Sequence, residues 1–396
     1  MSPYFQEGTD GMTKKSGFFL LICMISTLIL VSCGKAKDAN GQPDDVQIST
    51  SLTYDHSMEL DYAKEFSVDY YDGGYALITI SDESRFLVVP KKRPIPKDLS
   101  EDIVILKQPI DHIYLVASAV MDMFCSLDGL DSIRLSGTKE EGWYIEEAKK
   151  AMASGAIEYA GKYNMPDYEK IVDVGCDLAV ESTMILHSPD VKEKLEKIGI
   201  PVLVDRSSYE EHPLGRTEWV KLYGVLLGKE ERALQAFAEQ KAALESVTKA
   251  ERTDKTVAFF YITSNETASV RKSGDYVAKM INLAGGKYIF SNLGDDSASS
   301  SVNMQLEEFY ARAKDADYLI YNSTIDGGVR SMKEFLKKSP LLKEFKAVQE
   351  GNVYCTTQNL YQDSMKLGTV ILDFHNMLTT AEEQNEATFT YLFRLE

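Results

Sequence analysis

Residues 216–249 read RTEWVKLYGVLLGKEERALQAFAEQKAALESVTK, and the assignment of this stretch decides how the rest of the chain is arranged. Trp219, Val220, Leu222, Tyr223, Val225 and Leu226 recur at helical spacing and predict a helix over 217–227, with Gly228 as its C-cap. Lys229, Glu230 and Glu231 open a second helix, in which Ala233, Leu234, Phe237, Ala238, Ala242, Leu244 and Val247 keep the period as far as Lys249. No proline interrupts either one. About twenty residues at 1.5 Å each span roughly 30 Å, the width of a small domain, so the second helix is long enough to tie two lobes together. A surface helix inside a single domain would show the same pattern, and the flanking segments decide between the two.

Upstream, short apolar runs at 103–106, 113–116, 133–136, 157–160, 178–181 and 202–205 alternate with helical segments at 118–127, 144–154, 167–174 and 191–198. Downstream the rhythm recurs: strands at 257–262, 288–290, 318–321 and 353–356, helices at 275–284, 304–314 and 329–337, and a closing helix at 374–383. Such alternation argues for mostly parallel sheets covered by helices. The expected architecture is α/β: two mostly parallel-sheet lobes, 52–216 and 251–372, joined by a long rigid helical bridge at 217–250, with a C-terminal helix and tail at 373–396. A chain of 396 residues is long enough for two cores. Residues 54–89 break the rhythm. Strands at 66–71 and 75–80 flank the turn Asp72-Gly73-Gly74, and a third follows at 85–89, so an extra N-terminal β-hairpin region is expected, as a solvated edge addition.

The formal charge of −18, from 61 acidic against 43 basic side chains, argues against a nucleic-acid partner, because each phosphate contact needs a Lys or Arg. At the N-terminus, Lys14 and Lys15 precede an apolar run at 18–31 that is short for a membrane span and right for a signal-peptide core. Everything before Met12 is polar, which makes Met12 the candidate initiator. Leu30-Val31-Ser32-Cys33 resembles the lipobox of bacterial lipoproteins, in which the cysteine is acylated and becomes the mature N-terminus. The expectation is a signal peptide over 1–33, lipidation at Cys33 and a polar tether over 34–51. Cys125, Cys176 and Cys355 remain, an odd and scattered set that reads as thiols rather than a disulfide framework.

The sequence holds no phosphate-binding loop, no Gly-x-Ser-x-Gly elbow and no His-Glu-x-x-His, and its five histidines show no metal-ligand spacing. No cofactor and no catalytic residue is assigned. Several fragments, by contrast, fall in a telling order: Pro109-Ile110-Asp111-His112-Ile113, then Tyr168-Glu169-Lys170-Ile171-Val172, Cys176-Asp177-Leu178-Ala179-Val180, Lys197-Ile198-Gly199-Ile200-Pro201-Val202, Glu218-Trp219 with Gly224 and Gly228, Leu283-Ala284-Gly285-Gly286, Leu306-Glu307-Glu308-Phe309 and Ala316-Asp317-Tyr318-Leu319-Ile320. Over most of the chain they resemble the substrate-binding lipoproteins of ABC importers, in the class with two rigid lobes and a helical bridge that serves iron-siderophore complexes, haem and cobalamin.

The resemblance implies a monomeric binding protein, not an enzyme, lipid-anchored on the extracytoplasmic face of the cell membrane, with an ABC permease and ATPase complex and a small metal chelate as partners. A cobalamin or haem ligand, and a lipid-anchored α/β enzyme such as a chelatase, stand as alternatives. It also implies one exposed docking glutamate per lobe, Glu169 in the first and Glu307 or Glu308 in the second, each in the first turn of a helix capped by Asp167 and Asn303. Loops at the carboxyl ends of the strands, where open α/β sheets bind ligands, carry side chains suited to a polar, partly aromatic ligand. They are Trp143, Tyr144, Tyr163, Thr183, Met184, Arg206, Tyr209 and Arg216 in the first half, and Tyr261, Asn265, Arg271, Tyr276, Asn322, Gln358 and Tyr361 in the second. Aromatic faces stack on flat ligands, and arginine forks bind carboxylate or hydroxamate oxygens in pairs.

Overall fold

The computed structural model describes residues 47–249, 252–294, 301–325, 328–379 and 389–396. Cys33, the signal segment, Gly327 and the end of the predicted 374–383 helix lie outside the described residues. No helix among those described is long and apolar enough to cross a membrane.

Five strands come first: β1 Tyr54–Ser57, β2 Phe66–Tyr71, β3 Tyr75–Ile80, β4 Arg85–Val89 and β5 Ile103–Lys107, side by side in that order. The first four run antiparallel and β5 lies parallel to β4. The strand over 103–106, expected in the first lobe, therefore belongs to this added sheet. Nor is the sheet a solvated edge. Val68, Ile78, Phe86 and Val88 point into the main core, while Tyr71, Leu77, Leu87 and Val89 on the other face are covered by Ile48 and Leu52. A sheet buried on both faces reads as the near-continuous apolar run that β3 shows.

The first lobe holds β6 Ile113–Leu115, α1 Val120–Ser126, β7 Ile133–Ser136, α2 Glu146–Ala153, β8 Glu158–Tyr159, the small hairpin β9 Gly161–Lys162 and β10 Met165–Pro166, α3 Tyr168–Val174, β11 Leu178–Ser182, α4 Pro189–Lys197 and β12 Val202–Asp205. Its sheet runs β12-β11-β6-β7-β8, parallel throughout.

Three helices follow: α5 Pro213–Glu218, α6 Val220–Leu227 and α7 Glu230–Thr248. Gly228 ends α6 at φ 65° in the left-handed region, as its sequence position implies. Helix α7 packs on α6 on one side and on α12 (Leu367–Thr379) on the other, which makes it the link between the halves. Two glycines allow both approaches. A Cβ at Gly224 would stand 2.7 Å from Ala233 Cβ, and one at Gly368 would stand 2.9 Å from both Ala243 Cβ and Gln240 O. The buried stripe of α7 is Ala233, Ala236, Phe237, Gln240, Leu244 and Val247, while Leu234, Ala238 and Ala242, which share the helical period, face outward.

The second lobe holds β13 Thr256–Ile262, β14 Thr267–Arg271, α8 Tyr276–Leu283, β15 Lys287–Tyr288, β16 Ser301–Gln305, α9 Leu306–Ala313, β17 Tyr318–Tyr321, α10 Met332–Lys338, α11 Lys346–Gln349, β18 Val353–Thr356, α12 and β19 Leu392–Arg394. Its centre, β15, β13, β17 and β18, is parallel, and β14, β16 and β19 add antiparallel pairings. The helix expected from Met304 starts at Leu306. Asn303 is a strand residue opposite Ser269, so it is not the cap of α9, a position that Gln305 takes.

Candidate ligand site between the lobes

The carboxyl end of β17 places Asn322, buried, beside the loop that follows β18, and there Asn322 Nδ2 donates to the Tyr361 hydroxyl at 2.8 Å. The same oxygen accepts from Arg271 Nη2 at the end of β14. The Arg271 guanidinium lies 3.7 Å from Asp275, which caps α8 by accepting from Val277 N at 2.9 Å. Burial raises the carboxyl pKa of Asp275 and Arg271 opposes the rise. Tyr276, the next residue, receives the Arg216 guanidinium over its ring at 4.0 Å, so an arginine from α5 reaches an aromatic of the second lobe. Arg216 makes no ion pair among the described residues. Five of the residues expected from sequence, Arg216, Arg271, Tyr276, Asn322 and Tyr361, thus form one contiguous polar cluster.

The loop around 359–366 closes the cluster against the first lobe, through residues that the sequence reading missed. Gln362 Oε1 accepts from Tyr144 N at 2.7 Å, and Gln362 Nε2 donates to Gly142 O at 2.8 Å. Ser364 Oγ donates to Ala119 O at 2.6 Å, and Met365 N donates to Asp122 Oδ2 at 2.7 Å. Burial pushes the Asp122 carboxyl up to about 6, with the Met365 N–H opposing the shift. A glutamine in a loop carries no pattern that would mark it. An acid among the apolar residues of α1 is the one signal that could have been read.

Two buried polar atoms have no partner here among the described residues, Asn322 Oδ1 and Trp143 Nε1. Trp143 itself packs in the core, only 1% exposed, so its indole face is not offered for stacking as expected; its neighbours Gly142 and Tyr144 make the cross-lobe contact instead. Gln358 lies against Gly328, where a Cβ would meet its Nε2 at 3.2 Å. The other expected residues are not brought in. Arg206 Nε donates to Glu65 at 2.9 Å and Ser81 at 2.8 Å and stacks on Tyr209, so both face the added sheet. Tyr163 packs on the outer face of the first sheet. Thr183 and Met184 sit in a short turn after β11, and Asn265 in the β13–β14 turn. Tyr261 lines a separate cavity of about 590 Å³ with Thr263, Glu266 and Lys337.

Asp111, His112 and Asp177 present their ligand atoms within 4.8 Å of one another, a grouping invisible in sequence because parallel pairing of β6 and β11 creates it. Asp177 Oδ2 already accepts from the N–H groups of Asp111 and His112, so the trio is accounted for as a clasp at the start of two strands. Glu169 follows the Asp167 cap, which accepts from Lys170 N at 3.1 Å, and it is exposed. Glu307 and Glu308 are exposed in the first turn of α9; Glu308 pairs with Arg312 at 3.2 Å and Glu307 has no ion-pair partner among the described residues.

An uncharacterized lipoprotein of Methanocaldococcus jannaschii is 24% identical over 400 residues, covering 94% of this chain and 94% of that protein. A second from the same organism is 24% identical over 384 residues, covering 91% of this chain and 94% of its own. Among solved structures, a TroA-like periplasmic binding protein, FepB, from Veillonella parvula superposes with a TM-score of 0.56 at 14% identity, covering 73% of this chain and 96% of that one. A protein described as an ABC-type Fe3+-hydroxamate transport system from Saccharomonospora viridis gives 0.54 at 18% identity, covering 69% and 94%. At such identity the likeness is one of fold. The family model described as periplasmic binding protein matches residues 118–360, which take in the bridge and most of both lobes but not the added sheet. More than half of the chain lies within that match, and the chain belongs to the periplasmic binding protein family.

Proposed function

We propose that this chain is the extracytoplasmic solute-binding component of an ABC importer, holding an iron-siderophore-type chelate between its lobes and delivering it to the permease. The observation that carries this reading is the cluster of Arg216, Arg271, Tyr276, Asn322 and Tyr361, built from helix α5 on one side and from the second lobe on the other. A guanidinium with no ion-pair partner and a buried carbonyl oxygen with no donor among the described residues are what a polar, anionic ligand would complete. The relatives named as lipoproteins support acylation at Cys33, and the family supports binding rather than turnover. Calorimetric titration with ferric hydroxamate and catecholate chelates, haem and cobalamin tests the ligand. A ferric chelate is expected to bind without being consumed, and binding of haem or cobalamin alone would overturn the chelate class. Cys33→Ala is expected to move the protein from the membrane fraction to the soluble exported fraction.

A further inference from the structure

The loop between β4 and β5 reads Pro90-Lys91-Lys92-Arg93-Pro94-Ile95-Pro96-Lys97, four cations within seven residues of a chain whose net charge is −18. All four are exposed, and none makes an ion pair among the described residues. Ile95, between them, is 46% exposed. Arg93 N donates to Pro90 O at 3.0 Å, and Lys92 holds φ at 73°, so the basic residues sit on a tight turn. Tyr75 OH donates to Pro94 O at 2.7 Å and fixes the loop on the sheet.

The start of the folded body lies at the same place. Asp98 accepts from Thr50 N at 2.7 Å, from Thr50 Oγ1 at 2.6 Å and from Ser49 Oγ, so the chain arriving from the N-terminus is tied to the basic loop. Together they enclose a groove of about 700 Å³, with Thr50, Ser51, Asp72, Tyr75, Arg93 and Lys97 among its walls. If Cys33 carries lipid, 15 residues separate it from Ser49, and fully extended they span no more than roughly 55 Å. A basic loop of an acidic protein is thus tied to the segment through which the chain enters its folded body from the N-terminus.

We infer that the loop at 90–97 is a membrane-contact surface that binds anionic lipid headgroups, with Lys91, Lys92, Arg93 and Lys97 as the charges and Ile95 as a shallow apolar insertion. The inference rests on the lipoprotein reading for its geometry, though not for its test. Clusters of basic residues close to a bilayer gain affinity from the negative surface potential, and the gain is screened by salt. Such a contact would set the orientation of the added sheet, and through it of the two lobes, against the membrane.

The test uses the chain from residue 34 without lipid, since residues 46–396 form one compact unit. Co-sedimentation is measured with vesicles of phosphatidylcholine alone and of phosphatidylcholine with phosphatidylglycerol. Binding is expected only with the anionic vesicles, falling at least tenfold between 0.05 and 0.5 M salt, as roughly expected for screening of exposed charges. The combined variant Lys91→Glu, Lys92→Glu, Arg93→Glu and Lys97→Glu is expected to lose binding at least tenfold with an unchanged melting temperature, and Ile95→Ser to lose it severalfold. Equal binding to both vesicles, or full binding by the combined variant, would overturn the inference, as would displacement from vesicles by a soluble anionic polymer at lower charge concentration than the lipid. Because the probe carries no lipid, these outcomes bear on the loop alone, whereas unchanged fractionation of Cys33→Ala bears on the anchor.

Discussion

Two glutamates, each fully buried, lie in different parts of this molecule under opposite conditions. Glu218, at the end of α5, accepts from Asp61 N, Tyr62 N and Ala63 N at 2.8 Å each and from Lys221 Nζ at 2.6 Å. Its neighbour Glu210 takes the N–H groups of Lys64 and Glu65 and the Trp219 indole. Glu181, on the outer face of the first sheet, has both oxygens buried and no donor for either among the described residues. The first carboxylates are anchors: they cap the chain leading from β1 to β2 and so fasten the added sheet to the bridge. The second is a buried acid that burial alone pushes up to about 8. Equal burial therefore does not mean equal satisfaction; the donors that the backbone brings to a carboxylate decide it.

The largest effect is expected where the donors are. Glu218→Ala strips three backbone N–H groups and a buried lysine of their acceptor at once, and breaking a buried pair in this way costs about 3–5 kcal/mol. Urea unfolding is expected to show that loss, with a shallower first transition if the added sheet detaches. A loss below about 1 kcal/mol would mean that water replaces the carboxylate and that the contrast with Glu181 is false.

Glu181→Gln is expected to act in the other direction. With a folded pKa raised from 4.5 to about 8, the folded chain keeps a proton that the unfolded chain releases above pH 4.5. The native state therefore loses stability as pH climbs through that window and levels off beyond it. At about 1.4 kcal/mol per pH unit the upper bound is roughly 4–5 kcal/mol. The substitution should raise the melting temperature at pH 8.5, change it little at pH 4.5 and flatten the profile between. A parallel shift at both pH values would mean that packing rather than charge distinguishes the two proteins.

How much of this was legible in the sequence varies with the kind of interaction. The period of α6 and α7, the Gly228 cap and the strand–helix alternation are local, and they were readable. The period alone does not say which face of α7 is buried: the buried stripe is narrower than the apolar content, leaves out Leu234, Ala238 and Ala242, and includes Gln240. Strands β14, β16 and β19 carry no clear signal because they are short and their antiparallel pairings are decided by tertiary context; the edge strand Ser301–Gln305 is polar as well. In the site, Arg216, Arg271, Tyr276 and Tyr361 could be proposed from residue type and strand ends. Gln362 and the diversion of Arg206 to Glu65 could not, because both depend on which loops meet.

The cluster of Arg216, Tyr276 and Asn322 adds a third kind of polar group, one that a ligand would complete under the proposed function. Arg216→Ala should weaken binding of the true ligand by more than tenfold, about 1.4 kcal/mol. The unliganded protein should melt nearly as before, since a contact such as that with Tyr276 contributes only about 0.5–1 kcal/mol. Arg206→Ala is the matched control: its side chain is spent on Glu65 and Ser81, so it should lower stability and leave affinity unchanged. If Arg206→Ala abolished binding and Arg216→Ala did not, the ligand would lie nearer the added sheet than the cluster implies.

The smallest effect on folding is expected at the exposed carboxylates, which complete the series by being neither clasped nor buried. Glu169 stands in the first turn of α3 and Glu307 in the first turn of α9, where the helix dipole favours a negative charge by a few tenths of a kcal/mol to about 1. A charge serving only its own helix would show as a small stability loss with transport intact. One that serves an interface would show the reverse, because exposed charges contribute little to folding but guide and register association. Glu308 is the weaker candidate, since Arg312 already holds it, whereas Glu307 is not paired among the described residues. Glu169→Ala with Glu307→Ala is therefore expected to leave ligand affinity and melting temperature nearly unchanged while uptake in a reconstituted transporter falls severalfold. Normal uptake by that double variant, and by a triple variant adding Glu308→Ala, would remove these residues from the interface and return them to the role that the helix dipole alone assigns.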